Sequence, residues 1–148
     1  MVVVLIISFL SMLAIPTVRR VRLKARTAAI ANDFRVFAAA FEAVAHETGS
    51  WPAEAAAGVV PAGMETGLKI DAWTRTTPMG GKYNWENNQL HFGTRYQAAI
   101  AITATADAPL PLDVNQLLDI DRTIDDGNLR NGNFRLGAGN CPLFIIQK

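Results

Sequence analysis

The sequence predicts an α+β fold: one long N-terminal helix, a hydrophobic arm followed by an amphipathic half, packed on a small antiparallel β-sheet of about four strands. Three observations predict it. Met1 to Ile15 is apolar except for Ser8 and Ser11. From Ile30 the apolar residues narrow to a stripe of Ile30, Phe34, Phe37, Phe41, Val44 and Thr48, whose steps of four and three keep to one helical face. Beyond Lys82, short aromatic and β-branched runs alternate with Gly, Pro and Asn, the punctuation of an antiparallel sheet. Two regions result. Residues 1–27 form the arm and a basic collar; residues 28–148 form a head that includes the second half of the helix.

A helix that is apolar all round needs lipid or a packed assembly about it, whereas a striped helix needs a globular body on one side only. One helix with both properties ties a head to a membrane or to the core of an assembly. Val4, Ile7, Leu10, Leu13 and Pro16 are the expected assembly residues. Pro16 lacks an amide donor and crowds the preceding turn, so the helix can bend there. The apolar stretch is shorter than the roughly 20 residues of a full membrane span. A signal peptide has a similar length, but no basic residue precedes this stretch, Ser11-Met12-Leu13-Ala14 is a poor cleavage site, and the helical pattern runs on. Arg19, Arg20, Arg22, Lys24 and Arg26 follow, with no acid before Asp33. Such a collar suits lipid phosphates or neighbouring subunits. Taken literally, positive charges after the arm place the head in the cytoplasm, unless stronger charges lie upstream of Met1. No nucleic-acid partner is expected, because no aromatics interleave the collar and the net charge is only +1.

In the head, Gly49 can end the helix in the left-handed conformation, and Pro52 blocks a restart. Residues 50–82 hold eight glycines and prolines, which predicts a connecting loop with one short turn at Ala53 to Ala57. Trp51 and Trp73 are expected to plug that loop onto the core. Lys82 to Glu86 reads as a strand, Asn87-Asn88 as a turn, and Gln89 to Phe92 as a strand pairing back. Ala98 to Ala106 suits a strand near the sheet centre, and Ala108-Pro109-Leu110-Pro111 ends it. Asp113 is the expected N-cap of a helix carrying Leu117, Leu118, Ile120 and Ile124 and stopping before Gly127. Strands at Asn133 to Leu136 and Leu143 to Gln147 complete the sheet, with Gly137, Gly139 and Asn140 turning between them. Phe34, Phe37 and Phe41 are the expected helix–head seam. Burying three such rings contributes about 5 to 9 kcal/mol before entropy is counted.

The residues carry no enzyme signature. His46 and His91 are the only histidines; His46, in the last turn of the helix, suits its dipole as a cap. Ser8, Ser11 and Ser50 lack the neighbours a nucleophile needs, and Gly80-Gly81 is a turn rather than a phosphate loop. Cys141 is alone, so no disulfide forms within these residues, and Pro142, Leu143 and Phe144 beside it fit an apolar packing role. The acidic cluster Asp121, Asp125, Asp126 with Asn128 offers oxygens to a hard cation. Its spacing fails the twelve-residue calcium loop, since no Glu closes it, so a solvated helix face ending in an Asp-Gly turn is the reading preferred, and no cofactor is expected.

The arm Met1–Pro16, with its Ala14-Ile15-Pro16, and the Gly49-Ser50-Trp51-Pro52 helix end resemble the type IV pilin and type II secretion pseudopilin family. Thr77 to Trp85 and Asp125-Asp126-Gly127-Asn128 resemble its head more loosely. The resemblance implies a pilin-like fold and a structural subunit that assembles as a homo-oligomer in a helical filament through the arm. It implies other pilins or pseudopilins as partners and the bacterial inner membrane before assembly, with a periplasmic head or a place in a periplasmic or extracellular filament. Some pseudopilins carry calcium in the head, so the resemblance keeps Asp121, Asp125, Asp126 and Asn128 as calcium candidates. Family members carry a basic leader, a cleavage-site Phe and a Glu ahead of the position of Met1, which implies a start further upstream. The lone cysteine and short C-terminus favour a secretion pseudopilin. The alternatives are a pilin of an extracellular pilus for adhesion, motility or DNA uptake, and a single-pass anchored binding domain that never polymerises.

Overall fold

The structure, a computed structural model, describes residues 1–148, the side chains of residues 13–16 excepted. Helix α1 runs unbroken over Val2–Thr48, a rise of about 70 Å. It ends on Gly49 at φ 75°, whose N–H donates to the Ala45 carbonyl at 2.9 Å. The left-handed turn costs nothing where there is no Cβ, so the stop is written in that one residue. Ile30, Phe34, Phe37 and Phe41 are fully buried, and Thr27 and Ala31 join them. Val44 is half-buried and Thr48 exposed, so the seam ends a turn before the apolar pattern does. The Thr48 hydroxyl donates to the Val44 carbonyl at 2.8 Å instead.

The connector holds a short helix, α2 (Ile70–Thr74), where a loop is expected, and its turn lies at Ala57-Gly58 rather than over Ala53 to Ala57. Trp73 explains α2. Its ring is fully buried, its Nε1–H donates to the Val59 carbonyl at 2.8 Å, and one helical turn is needed to aim it inward. Trp51 is half-buried against the core, its indole N–H donating to Gln147.

Strand β1 spans Lys82–His91 and β2 spans Thr94–Thr103, joined by the two-residue turn Phe92-Gly93. Both turn residues have positive φ, 48° and 82°, which matches the twist of a tight hairpin. The expected turn at Asn87-Asn88 is therefore overturned: pairing runs through it, from Lys82↔Thr103 to His91↔Thr94. Asn88 still has φ 59°. Asn tolerates the left-handed region, and here it uses that tolerance inside a strand. Helix α3 (Val114–Ile124) starts at Asp113, whose carboxylate accepts from the Asn115 and Gln116 amides. Strand β3 (Phe134–Leu136), a 3₁₀ turn at Ala138–Asn140 and β4 (Pro142–Gln147) follow. The four strands pair antiparallel in the order β1-β2-β4-β3. The sheet thus keeps the β2 segment inside, as its Ala- and Ile-rich run predicts.

One face of the sheet receives α1. Phe37 sits edge-on to Tyr83 at 4.9 Å and to Trp73 at 5.1 Å, and Phe41 stacks on Trp85 at 3.8 Å. Phe34 meets Tyr83 and Phe134 at 5.8 and 5.7 Å. Ring pairs at these separations add to the burial of area. A second apolar cluster, Tyr96, Ala99, Ala101, Cys141, Leu143 and Ile145, covers the other face. Gly80 ties the connector to the post-β2 loop, since a Cβ there would strike the Pro109 carbonyl.

Candidate functional site

Before Thr27, α1 projects past the head, and its described apolar side chains from Met1 to Met12 are exposed. Val4 is 67 % exposed, Ile7 58 % and Leu10 63 %. The helix contains a stretch long and apolar enough to cross a membrane, and none of that stretch is buried by the head. Two of its polar residues are muted: the Ser8 and Ser11 hydroxyls donate to the Val4 and Ile7 carbonyls, both at 2.8 Å, which keeps them inside the helix's own ladder. Leu13 and Pro16, the other expected assembly residues, lie outside the described side chains. From Val2 to Val18 the helix rises about 25 Å, close to the thickness of a hydrocarbon core. Next comes the collar. Arg19, Arg20, Arg22, Lys24 and Arg26 are all exposed, and at about 100° per residue they cover a little over half of the helix circumference. The result is an oily rod with a cationic band where it enters the head.

The acidic cluster lies at the far end of α3, where the helix dipole is negative. Asp121, Asp125 and Asp126 each bring a carboxylate oxygen within 4.8 Å of the others. Their surroundings differ. Asp125 Oδ2 accepts from the Asn133 and Phe134 amides, the latter at 2.8 Å, and so anchors the start of β3. Asp126 is exposed, and its Oδ1 accepts from the Asn128 amide at 2.8 Å. Asp121 is fully buried, and neither of its carboxylate oxygens has a hydrogen-bond partner. Burial, then the charges of Asp126 and Asp125, raise its carboxyl above the usual range; the Gly127 amide pulls the other way without reaching hydrogen-bonding geometry. Asn128, the fourth candidate, turns its Oδ1 to the Arg130 amide at 3.1 Å.

Two polar constellations escape the sequence reading. Asp33, on α1, accepts from the Tyr83 hydroxyl at 2.9 Å and from Arg75 at 3.0 Å. Burial, followed by the Asp33 charge, pushes the Tyr83 phenol far above its ordinary range, so it stays a donor. His91 is not isolated: its Nε2 lies 2.5 Å from Glu86, and its Nδ1 accepts from the Ala138 amide at 3.0 Å. Residues five apart on a regular strand face opposite ways, and the left-handed Asn88 between them interrupts that alternation. His46 remains exposed in the last turn of α1.

The geometry bears comparison with known proteins. No known family's sequence profile matches the chain, and no curated protein matches it. A solved structure does: that of the major type IV pilin PilA1 from Clostridium difficile, 18 % identical, with a TM-score of 0.55. The match covers 85 % of this chain and 97 % of that one. At this identity the likeness is one of fold. The chain has a pilin-like fold, a long N-terminal helix packed on a four-stranded antiparallel sheet.

Proposed function

We propose that this chain is a structural subunit of a type IV-like filament, assembling through the arm of α1, and within that class a pseudopilin of a type II secretion system. One observation carries the reading: Val4, Ile7 and Leu10 are exposed on the same continuous helix that holds Phe34, Phe37 and Phe41 in the head core. That apolar surface is favoured in lipid before assembly and against copies of itself afterwards. The collar would then mark the level of anionic headgroups in the inner membrane, with the head in the periplasm. Other pilins or pseudopilins are the further partners. The role requires neither catalysis nor a cofactor, and the collar is not read as a nucleic-acid contact.

Cysteines placed singly at Ile6 and Leu10 test assembly, because the native Cys141 is buried and does not compete. Oxidation in cells should give arm-linked dimers, because one free thiol per chain forms one disulfide. Only monomers would replace the filament by a single-pass anchored domain. The secretion assignment rests on the single cysteine, which leaves the head without an internal disulfide. A pilin of an extracellular pilus is the second reading, supported by the likeness to a major pilin. Electron microscopy of material sheared from cells separates them, since long surface fibres built of this chain would favour the pilus.

A further inference from the structure

We infer that a cavity in the head, between the β1–β2 turn, β3 and the start of α3, binds a small carboxylate with an apolar body. Its volume is about 460 Å³, within the range of small-molecule sites. Phe92, Tyr96, Val114, Leu129, Leu136 and Leu143 give it apolar walls. Phe92 is the telling residue. It takes the first position of the tight turn at φ 48°, a conformation that suits Asn, Asp or Gly and strains a bulky side chain. Its ring is 78 % exposed beside the cavity, so burial in the core does not offset that strain. A ligand contact accounts for an aromatic ring held there against its backbone preference.

Charge selects the ligand class. Arg130 and Arg135 line the same cavity, and no acid does. Arg135 is half-buried and held in place: its Nε–H donates to the Gly132 carbonyl at 2.7 Å, and its Nη1 to the Tyr96 hydroxyl at 3.4 Å. No ion pair among the described residues uses either arginine. His91 also lines the wall, but Glu86 and the Ala138 amide engage its two ring nitrogens. The cavity's unpaired charge is therefore positive. Planar guanidinium groups match the two oxygens of a carboxylate, and the apolar walls then take an aromatic or aliphatic body. A free acid suits this volume, whereas a protein partner needs far more surface, about 800 Å² on each side. The site is independent of the filament reading.

The test uses the full chain in nonionic detergent micelles, carbon-13-labelled at Val, Leu and Ile methyls, titrated with phenylpropionate and followed by NMR. The methyls of Val114, Leu129, Leu136 and Leu143 should shift saturably, with a dissociation constant on the order of 1 mM or tighter. Those of Ile100 and Ile102, in the cluster under α1, should stay in place. Phenylpropionamide keeps the ring without the charge and should bind about tenfold more weakly. Arg130→Gln alters an exposed side chain and should weaken the acid about tenfold. Lys69→Gln removes an equal charge elsewhere on the surface and should leave binding unchanged. Phe92→Asn should weaken binding and raise the thermal unfolding midpoint together, because Asn accepts the turn. No saturable shift at the four cavity methyls would overturn the site. Equal binding of the amide would overturn the carboxylate, and so would a Lys69→Gln loss as large as that of Arg130→Gln. Tighter binding of a peptide ending in phenylalanine would replace the free acid by a chain terminus. Shifts that grow with chain concentration in the absence of acid would replace the ligand by a second copy of the chain.

Discussion

Cys141 shows how one side chain's surroundings set its chemistry. It lies in the apolar cluster on the sheet face opposite α1, with its Sγ donating to the Ala138 carbonyl at 3.1 Å. Burial first, and then the Glu86 charge, pushes the thiol up to about 11 from 9.0. At pH 8 roughly a hundredth of the unfolded chain's thiolate population remains in the folded chain. A disulfide reagent at that pH should leave native protein unlabelled and react fully once denaturant is added; rapid native labelling would contradict the burial. The sign for stability follows. The folded thiol holds its proton more tightly, so its contribution is complete below pH 9 and is lost as pH rises toward 11. This packing role was legible, because Pro142, Leu143 and Phe144 stand next to it. The Asp33 contacts were not. Tyr83 and Arg75 lie 50 and 42 residues away, and no local pattern encodes such a meeting. His91 looked solitary for the same reason: the Ala138 amide is 47 residues distant.

At the scale of elements, legibility follows the strength of the local signal. α1 and α3 could be read because periodicity and a terminal residue agree, Gly49 closing the one and Asp113 opening the other. β1 was divided wrongly at Asn87-Asn88, because left-handed tolerance signals a turn only when the pairing partner also reverses there. The true reversal, Phe92-Gly93, hides behind an exposed phenylalanine. α2 is five residues long, too short for periodicity to register, and only Trp73's demand for a buried site creates it. The cap of α3 gives the prediction proper to this scale. Asp113→Ala removes the acceptor of the Asn115 amide, at 2.9 Å in the parent, and should cost about 1 kcal/mol in denaturant unfolding. Asp113→Asn should cost far less, since Asn also caps. Equal losses in both variants would show that the carboxylate's charge, not its hydrogen bond, holds the helix start.

For the whole molecule, the division between arm and head decides what the chain can do alone. The head's order was legible in outline, with helix first and sheet after, because a stripe and a set of alternating runs can bury each other in few ways. The acidic site was legible only as a composition: four residues in order gave no hint that Asp121 would be enclosed while Asp126 stayed in solvent. The strongest test at this scale is removal of residues 1–27. A helix of the remaining length is marginal in water by itself, but Ile30, Phe34, Phe37 and Phe41 stay seated against Tyr83, Trp73 and Trp85. Residues 28–148 should therefore fold, sediment as a monomer in buffer without detergent, and keep the near-ultraviolet circular dichroism of packed aromatic rings. In cells the same fragment should leave the membrane fraction and fail to co-assemble with the full chain. A fragment that stayed with membranes would move the membrane contact from the arm to the head. A fragment that lost its aromatic signal would make the arm part of the head's own fold, and the exposed Val4, Ile7 and Leu10 could no longer be treated as a separate assembling surface.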